Sequence, residues 1–112
     1  MNSDDQKMPR NEPAPNCPLE TALSLIGGKW KGVILYRLIE NTLRFGELKK
    51  IMPTITQRML TKQLRELEED GLIIREVYRE VPPKVEYSLT NKSVALQPIL
   101  LALESWGSEY HK

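Results

Sequence analysis

The side chains best suited to chemistry in this chain are hydrogen-bond donors spaced along one predicted helix. Arginine and lysine donate to guanine O6 and N7, glutamine pairs with adenine N6 and N7, and threonine offers a hydroxyl and a methyl group. At 100° per residue the polar side chains fall on one sector of the helix, and Leu60, Leu64 and Leu67 fall on another. The polar set predicts contact with base edges or phosphates and comprises Thr56, Gln57, Arg58, Thr61, Lys62 and Arg65.

The charges of this helix run against its own dipole. Cations occupy its N-terminal half, and Glu66, Glu68, Glu69 and Asp70 occupy its C-terminal half. This order costs roughly 0.3 to 1 kcal/mol per charge, which Lys62/Glu66 and Arg65/Glu69 pairs would partly offset. A negatively charged partner at the helix N-terminus explains the order. The alternative is an ordinary amphipathic helix with a solvated charged face.

Residues suited to covalent catalysis, metal binding or disulfide formation are scarce in this sequence. With one cysteine and one histidine, the chain has no internal disulfide, no histidine-cysteine metal set and no nucleophile-base pair, so we expect no catalysis, metal or cofactor. Cys17 is the residue with two interpretations. At the start of a predicted helix it is a candidate thiol sensor, although Glu20 one turn away opposes a thiolate. The alternative is a cap or a small buried residue.

Composition and charge indicate one small domain with a basic middle. The 112 residues are 40% hydrophobic with a net charge of +1, and residues 29–65 hold nine cations and two anions. Residues 1–16 are polar and contain Pro9, Pro13 and Pro15, which predicts a flexible arm before a domain over residues 17–112. No leader pattern or membrane span is evident, so we expect a cytoplasmic protein with no membrane partner.

Four helices are predicted between Cys17 and Gly71. The first begins after Cys17, with Pro18 at its first position, and stops at Gly27-Gly28. A helix over residues 29–40, an extended piece over 43–45 and a short helix over 46–52 follow. Thr56 then caps the polar helix, which Asp70 and Gly71 end. A short helix, a tight turn and a longer helix have the spacing of a helix-turn-helix.

Two β-rich runs follow the helices. Residues 72–78 and 85–89 flank residues 79–84, in which Pro82 and Pro83 suit a loop because they cannot donate to a ladder. Arg79 and Lys84 make this hairpin basic. Helices followed by a basic hairpin predict a mainly α winged helix, whose hairpin, the wing, can follow a DNA backbone or enter a minor groove.

A last helix is predicted from Thr90 to Tyr110. Apolar residues recur along this helix at spacings of three, four, three and four residues and form a seam. Pro98 should bend the helix near Val94. We interpret this helix, together with the first, as a dimer interface; the alternative is packing on its own domain alone. The seam comprises Leu96, Ile99, Leu103, Trp106 and Tyr110.

The chain resembles the HxlR-type winged-helix transcription regulators, which are close in architecture to the MarR group. The stretches that carry the resemblance are CPLE (17–20), IGGKWK (26–31), LRFGEL (43–48), LTKQLRELEEDGL (60–72) and VPPKVEYSLT (81–90). The resemblance implies a homodimer that binds double-stranded DNA, with the helix from Thr56 in the major groove and the wing against the adjacent minor groove. It also favours Arg44 as a phosphate contact.

The resemblance further implies that Cys17 could respond to oxidants or electrophiles. Some such sensors use a second cysteine, which this chain lacks. The remaining routes are a Cys17–Cys17 bond between subunits, a mixed disulfide with a small thiol, or an adduct. We expect the dimer to read an inverted repeat with its two reading helices about 34 Å apart. The competing hypothesis is a winged helix that meets an acidic protein partner and binds no specific DNA.

Overall fold

The computed structural model describes residues 17–111 and shows a mainly helical fold with one small sheet. The expected arm over residues 1–16 lies outside the described residues. In chain order the elements are α1 (Pro18–Ile26), α2 (Lys31–Arg37), β1 (Leu43–Arg44), α3 (Phe45–Ile51), α4 (Gln57–Glu69), β2 (Ile73–Tyr78), β3 (Lys84–Leu89), α5 (Asn91–Val94) and α6 (Gln97–Ser108).

The sheet is antiparallel with the strand order β1-β3-β2. Strands β2 and β3 form the predicted hairpin, in which Val77 pairs with Val85 and Tyr78 with Lys84. The short extended piece predicted near residue 43 is β1. It adds a third strand to the hairpin, because Leu43 pairs with Tyr87 in β3. The middle of β3 is therefore tied to the segment that starts the helix-turn-helix.

One hydrophobic core joins the helices to the sheet. The α4 helix packs on both α2 and β2, and α6 packs on α2. The side chains at the centre of this core are aliphatic, as expected for a domain of this size. The buried apolar residues are Ile34, Leu35, Leu38, Leu48, Met52, Ile55, Leu60, Leu64, Leu67, Leu72, Ile73, Tyr87 and Leu100.

The α4 helix has the predicted ends. At its start, the Thr56 hydroxyl accepts a hydrogen bond from the Met59 N–H at 3.0 Å. At its end, Gly71 has a φ of +75°, which places it in the left-handed region that glycine tolerates. The Leu72 N–H then donates to the Leu67 carbonyl at 2.9 Å. This bond closes a Schellman cap and directs the chain into β2.

The second helix is shorter than predicted. The expected span was residues 29–40, but α2 runs only from Lys31 to Arg37. Gly28 has a φ of +77°, so the turn after α1 extends through Trp30 before the helix starts. Residues 38–40 form a turn after the helix.

The prediction of one bent C-terminal helix was wrong. Thr90 does cap a helix, since its hydroxyl accepts from the Ser93 N–H, but α5 ends at Val94. The α6 helix begins at Gln97, with Pro98 in its first turn. A proline inside a continuous helix would crowd the carbonyl four residues earlier, whereas in the first turn its missing N–H costs nothing. Pro98 therefore starts a helix and does not bend one.

Among the helices over residues 17–111, none is long and apolar enough to cross a membrane.

Candidate nucleic-acid interface

The polar face of α4 is exposed and continuous. Its leucines are buried, and the side chains that sequence reasoning assigned to base contact all lie in solvent. The Thr61 hydroxyl donates to the Gln57 carbonyl at 2.9 Å, and the residue is exposed, so its hydroxyl oxygen can still accept a hydrogen bond. One open surface is lined by Gln57, Arg58, Thr61, Lys62, Arg65, Glu66 and Glu69.

The cations of this surface are not bound by carboxylates. Within residues 17–111, no acidic oxygen lies within 4.0 Å of the charged groups of Arg58, Lys62 or Arg65. The pairs expected within the helix, Lys62/Glu66 and Arg65/Glu69, do not form. These side chains can therefore donate to a partner without breaking an ion pair.

Glu66 binds a different lysine. The Nζ of Lys31, at the start of α2, lies 2.8 Å from Oε1 of Glu66. The hydrogen bond from Lys31 lowers the pKa of Glu66 below its usual value; burial opposes this shift, and the charges of Lys31 and Lys62 add to it. Lys31 is thus part of a contact between α2 and α4.

A groove between α4 and the sheet adds a cation that sequence reasoning missed. Arg75, on β2, is exposed and lines this groove with residues of α4. Its neighbours at two-residue spacing, Ile73 and Val77, share its face of the strand. This alternation could have identified Arg75 from the sequence. It places Arg75 on the same face of β2 as the buried Ile73, which is the face toward α4. The groove is lined by Thr61, Leu64, Arg65, Glu68, Arg75 and Tyr87.

The two predicted cations of the wing differ in environment. Arg79 is exposed, and none of the described residues forms an ion pair with it. Lys84 is largely covered, because its Nζ lies 4.4 Å from the centre of the Tyr78 ring. The same Nζ lies 3.9 Å from Glu80 and 4.0 Å from Glu86. In the free chain Lys84 therefore neutralises the wing's own carboxylates.

The Tyr78 phenol belongs to this cluster. Partial burial raises its pKa, and the carboxylates of Glu76 and Glu86 raise it further. Glu76 and Glu86 are direct partners across the β2–β3 ladder, where like charges destabilise the pair. The cation of Lys84 compensates for this repulsion.

Arg44 lies where the helix-turn-helix meets the wing. Its backbone N–H donates to Oε1 of Glu47 at 2.8 Å, which starts α3, and its side chain is exposed. In the sheet Arg44 pairs with Glu86. The predicted phosphate contact is thus held at a fixed backbone position with a free side chain.

Cys17 precedes the first residue of α1 and has a free thiol of intermediate exposure. Its side chain makes no capping hydrogen bond, and its carbonyl accepts from the Thr21 N–H at 3.2 Å. Cys17 is thus the N-cap residue of α1 by position, caps the helix without a side-chain hydrogen bond, and is not fully buried. Over residues 17–111 no group of three His, Cys, Asp or Glu side chains could hold a metal ion.

The apolar seam of the C-terminal region is exposed along α6. Ile99, Leu103, Trp106 and Tyr110 are 50 to 66% exposed, and the rings of Trp106 and Tyr110 lie 5.1 Å apart. Leu96 departs from the expected seam, because it precedes α6 and packs against the core of its own domain. The helix predicted to reach Tyr110 ends at Ser108, so Ile99, Leu103 and Trp106 lie on α6 and Tyr110 lies just beyond it. These four residues form the α6 seam.

The first helix is exposed in the same way. No side chain of α1 is buried, and Leu19 and Leu23 are both more than half exposed.

A helix-turn-helix made of α3 and α4, followed by a hairpin with an exposed cationic tip, defines a winged helix-turn-helix protein. The family model for HxlR-like helix-turn-helix proteins matches residues 25–112. The chain belongs to this family, as its sequence motifs predicted, and is a transcriptional regulator of the helix-turn-helix type.

Known relatives agree with this assignment. The HTH-type transcriptional regulator YdeP of Bacillus subtilis is 61% identical over 94 residues, which cover 84% of this chain and 73% of YdeP. The redox regulator HypR in its oxidised form is 55% identical with a TM-score of 0.82, over 86% of this chain and 99% of HypR. The reduced form of the transcriptional regulator YodB of B. subtilis is 38% identical with a TM-score of 0.74, over 86% and 95% of the two chains.

Proposed function

We propose that this chain is a homodimeric regulator, without enzymatic activity, that binds an inverted-repeat operator. The α4 helix enters the major groove, and the wing follows the adjacent minor groove. The observation that carries the proposal is the exposed face of α4, on which three cations have no carboxylate partner among the described residues. Unpaired cations on a fixed helix are what base and phosphate recognition requires.

Individual roles follow from position along α4. Gln57, Arg58, Thr61 and Lys62 contact base edges, because the first turns of the reading helix enter the groove most deeply. Phosphates are contacted from the edges of this surface by Thr56, Arg65 and Arg44, and by the wing through Arg79 and Lys84.

The dimer forms through α1 and α6. The α6 seam is at least half exposed in the single chain, and an apolar strip of this kind marks an interaction surface. Leu19 and Leu23 of α1 supply further exposed apolar area. A two-fold axis through these helices would present two copies of α4 to one face of the duplex, about 34 Å apart.

Cys17 makes DNA binding sensitive to oxidants or electrophiles. Two features support this role: the partly exposed thiol at the first turn of α1, and the similarity to HypR, which is a redox regulator. Because α1 lies in the proposed interface, a disulfide between the two Cys17 residues, a mixed disulfide or an adduct would alter the relative placement of the two reading helices.

The test is binding of the reduced protein to duplex fragments from around its own gene at two salt concentrations. It is repeated after mild oxidation and with Cys17→Ser. Tight, salt-dependent and sequence-preferring binding that oxidation changes only in the wild type is the expected result. If oxidation does not change binding, operator binding stands and Cys17 has a structural role only. Absence of preferential binding would contradict the proposal and favour a module that contacts an acidic protein.

A further inference from the structure

We propose that Lys31 is a positioning residue for DNA binding: it holds the carboxylate of Glu66 away from the α4 cations and so keeps Lys62 available to DNA. The inference rests on the proposed reading role of α4 and adds a residue from α2 to it. Lys31 itself does not touch DNA.

The contact between Lys31 and Glu66 is close and partly sheltered. Nζ lies 2.8 Å from Oε1, and the Lys31 side chain is only 14% exposed, compared with 37% for Glu66. Water can reach the carboxylate of Glu66, but the amino group of Lys31 is mostly covered, which limits the other partners that this amino group can reach. The lowered pKa of Glu66 agrees with a carboxylate that stays ionised in this contact.

Besides Lys31, the cation whose charge acts on the Glu66 carboxylate is Lys62. The two residues are one helical turn apart, which is the spacing at which helical ion pairs form. In the structure they do not pair, because Lys31 already occupies Glu66. Loss of Lys31 would therefore turn Glu66 toward Lys62 and remove one cation from the reading surface.

Glu66 also belongs to the open surface that DNA would approach, together with Arg58, Lys62 and Arg65. An unpaired carboxylate there repels phosphates and would lower affinity for every sequence. Lys31, on the neighbouring helix α2, neutralises the charge of Glu66. The alternative, a direct contact of Lys31 with phosphate, requires its sheltered amino group to leave Glu66.

The experiment measures operator affinity and its salt dependence for five variants, each checked for folding by thermal unfolding. Lys31→Met should weaken binding about five- to tenfold and lower the salt slope by about one. Lys29→Met, which removes a cation two residues away that does not contact Glu66, should change binding less than about twofold. Lys31→Arg should restore wild-type binding.

The double variant Lys31→Met/Glu66→Gln decides between the two roles of Lys31. If Lys31 acts through Glu66, the double variant binds like Glu66→Gln alone, within about twofold of the wild type or tighter. If Lys31→Met weakens binding equally whether residue 66 is Glu or Gln, Lys31 contacts phosphate directly and the inference is overturned. Unchanged binding by Lys31→Met would overturn it as well.

Failure of the inference is distinguishable from failure of the proposed function. If the wild type shows no preferential binding to any fragment, the operator-binding function fails, and the inference fails with it. If the wild type binds and the double variant gives no rescue, only the role of Lys31 fails. A carboxyl titration of Glu66 by NMR supplies a readout without DNA: its pKa should rise in Lys31→Met and stay low in Lys29→Met.

Discussion

The hydroxyl of Thr90 donates a hydrogen bond to the carbonyl oxygen of Gly71 at 2.7 Å. It joins the residue after β3 to the residue that ends α4. The Thr90 hydroxyl oxygen also accepts a hydrogen bond from the Ser93 N–H. The buried Ser93 hydroxyl donates to the Leu72 carbonyl. The α4 helix and the base of the wing are therefore linked by hydrogen bonds at the end of α4.

Thr90→Val should lower the free energy of unfolding by about 1 to 2 kcal/mol, because it removes a helix cap and a link to Gly71. Chemical denaturation would measure the change. Thr42→Val is the matched control, since Thr42 is exposed and makes no hydrogen bond with its side chain among the described residues. Equal stability of the two variants would contradict the role given to Thr90.

Arg58→Ala should cost about 1 to 3 kcal/mol of binding free energy and relax the base preference, because Arg58 lies on the exposed face of the first turn of α4. Binding to operators with single base changes would show both effects. If affinity and base preference both stay intact, α4 does not read the major groove.

Arg79→Ala should weaken binding to all sequences alike and reduce the salt slope by about one. Lys84→Ala should also weaken all sequences alike, because it frees the charges of Glu80 and Glu86 beside the DNA backbone. Titrations on operator and random duplexes at two salt concentrations measure both. A loss confined to the operator would mean that the wing reads bases.

Trp106→Ala should weaken dimerisation by about 2 kcal/mol or more, because large aromatic anchors dominate interfaces of this kind. The fold should be retained, since Trp106 is 62% exposed in the single chain. Sedimentation equilibrium measures the association, and Val77→Ala, a half-exposed apolar truncation on β2, is the control. A wild-type chain that sediments as a monomer would refute the proposed dimer.

The contact of Glu66 with Lys31 predicts an acid-dependent loss of stability. Because the folded-state pKa of Glu66 lies below its usual 4.5, the ionised form stabilises the fold, and this contribution is present above pH 4.5. It is lost as the pH falls through the lowered pKa. The difference in unfolding free energy between the wild type and Glu66→Gln should therefore be constant near neutrality and change below about pH 4.5. In a Lys31→Met background that change should largely disappear.

Local signals explain why the reading helix was predictable. Thr56, three leucines at helical spacing and Gly71 define α4 within the chain itself, so its bounds and its buried face follow without tertiary information. The hairpin was equally local, since Pro82 and Pro83 separate two β-rich runs. The family motifs lie in these same segments.

Tertiary contacts explain what sequence reasoning missed. Glu66 has a cation one turn away in sequence, and only the packing of α2 on α4 brings Lys31 closer. Arg75 joins the candidate site because β2 lies beside α4. Pro98 is compatible by its chemistry with a bend or with a helix start, and the structure places it in the first turn of α6.

The absence of buried side chains in α1 links the order of this helix to how much protein is present. A nine-residue helix held only by partly buried residues such as Leu25 and Ile26 is marginal by itself. In the proposed dimer a second copy would supply further contacts to α1, so this helix should become more ordered as the protein concentration rises. The surroundings of Cys17 change with it. We expect the rate at which this thiol reacts to depend on the abundance of the regulator as well as on the reagent.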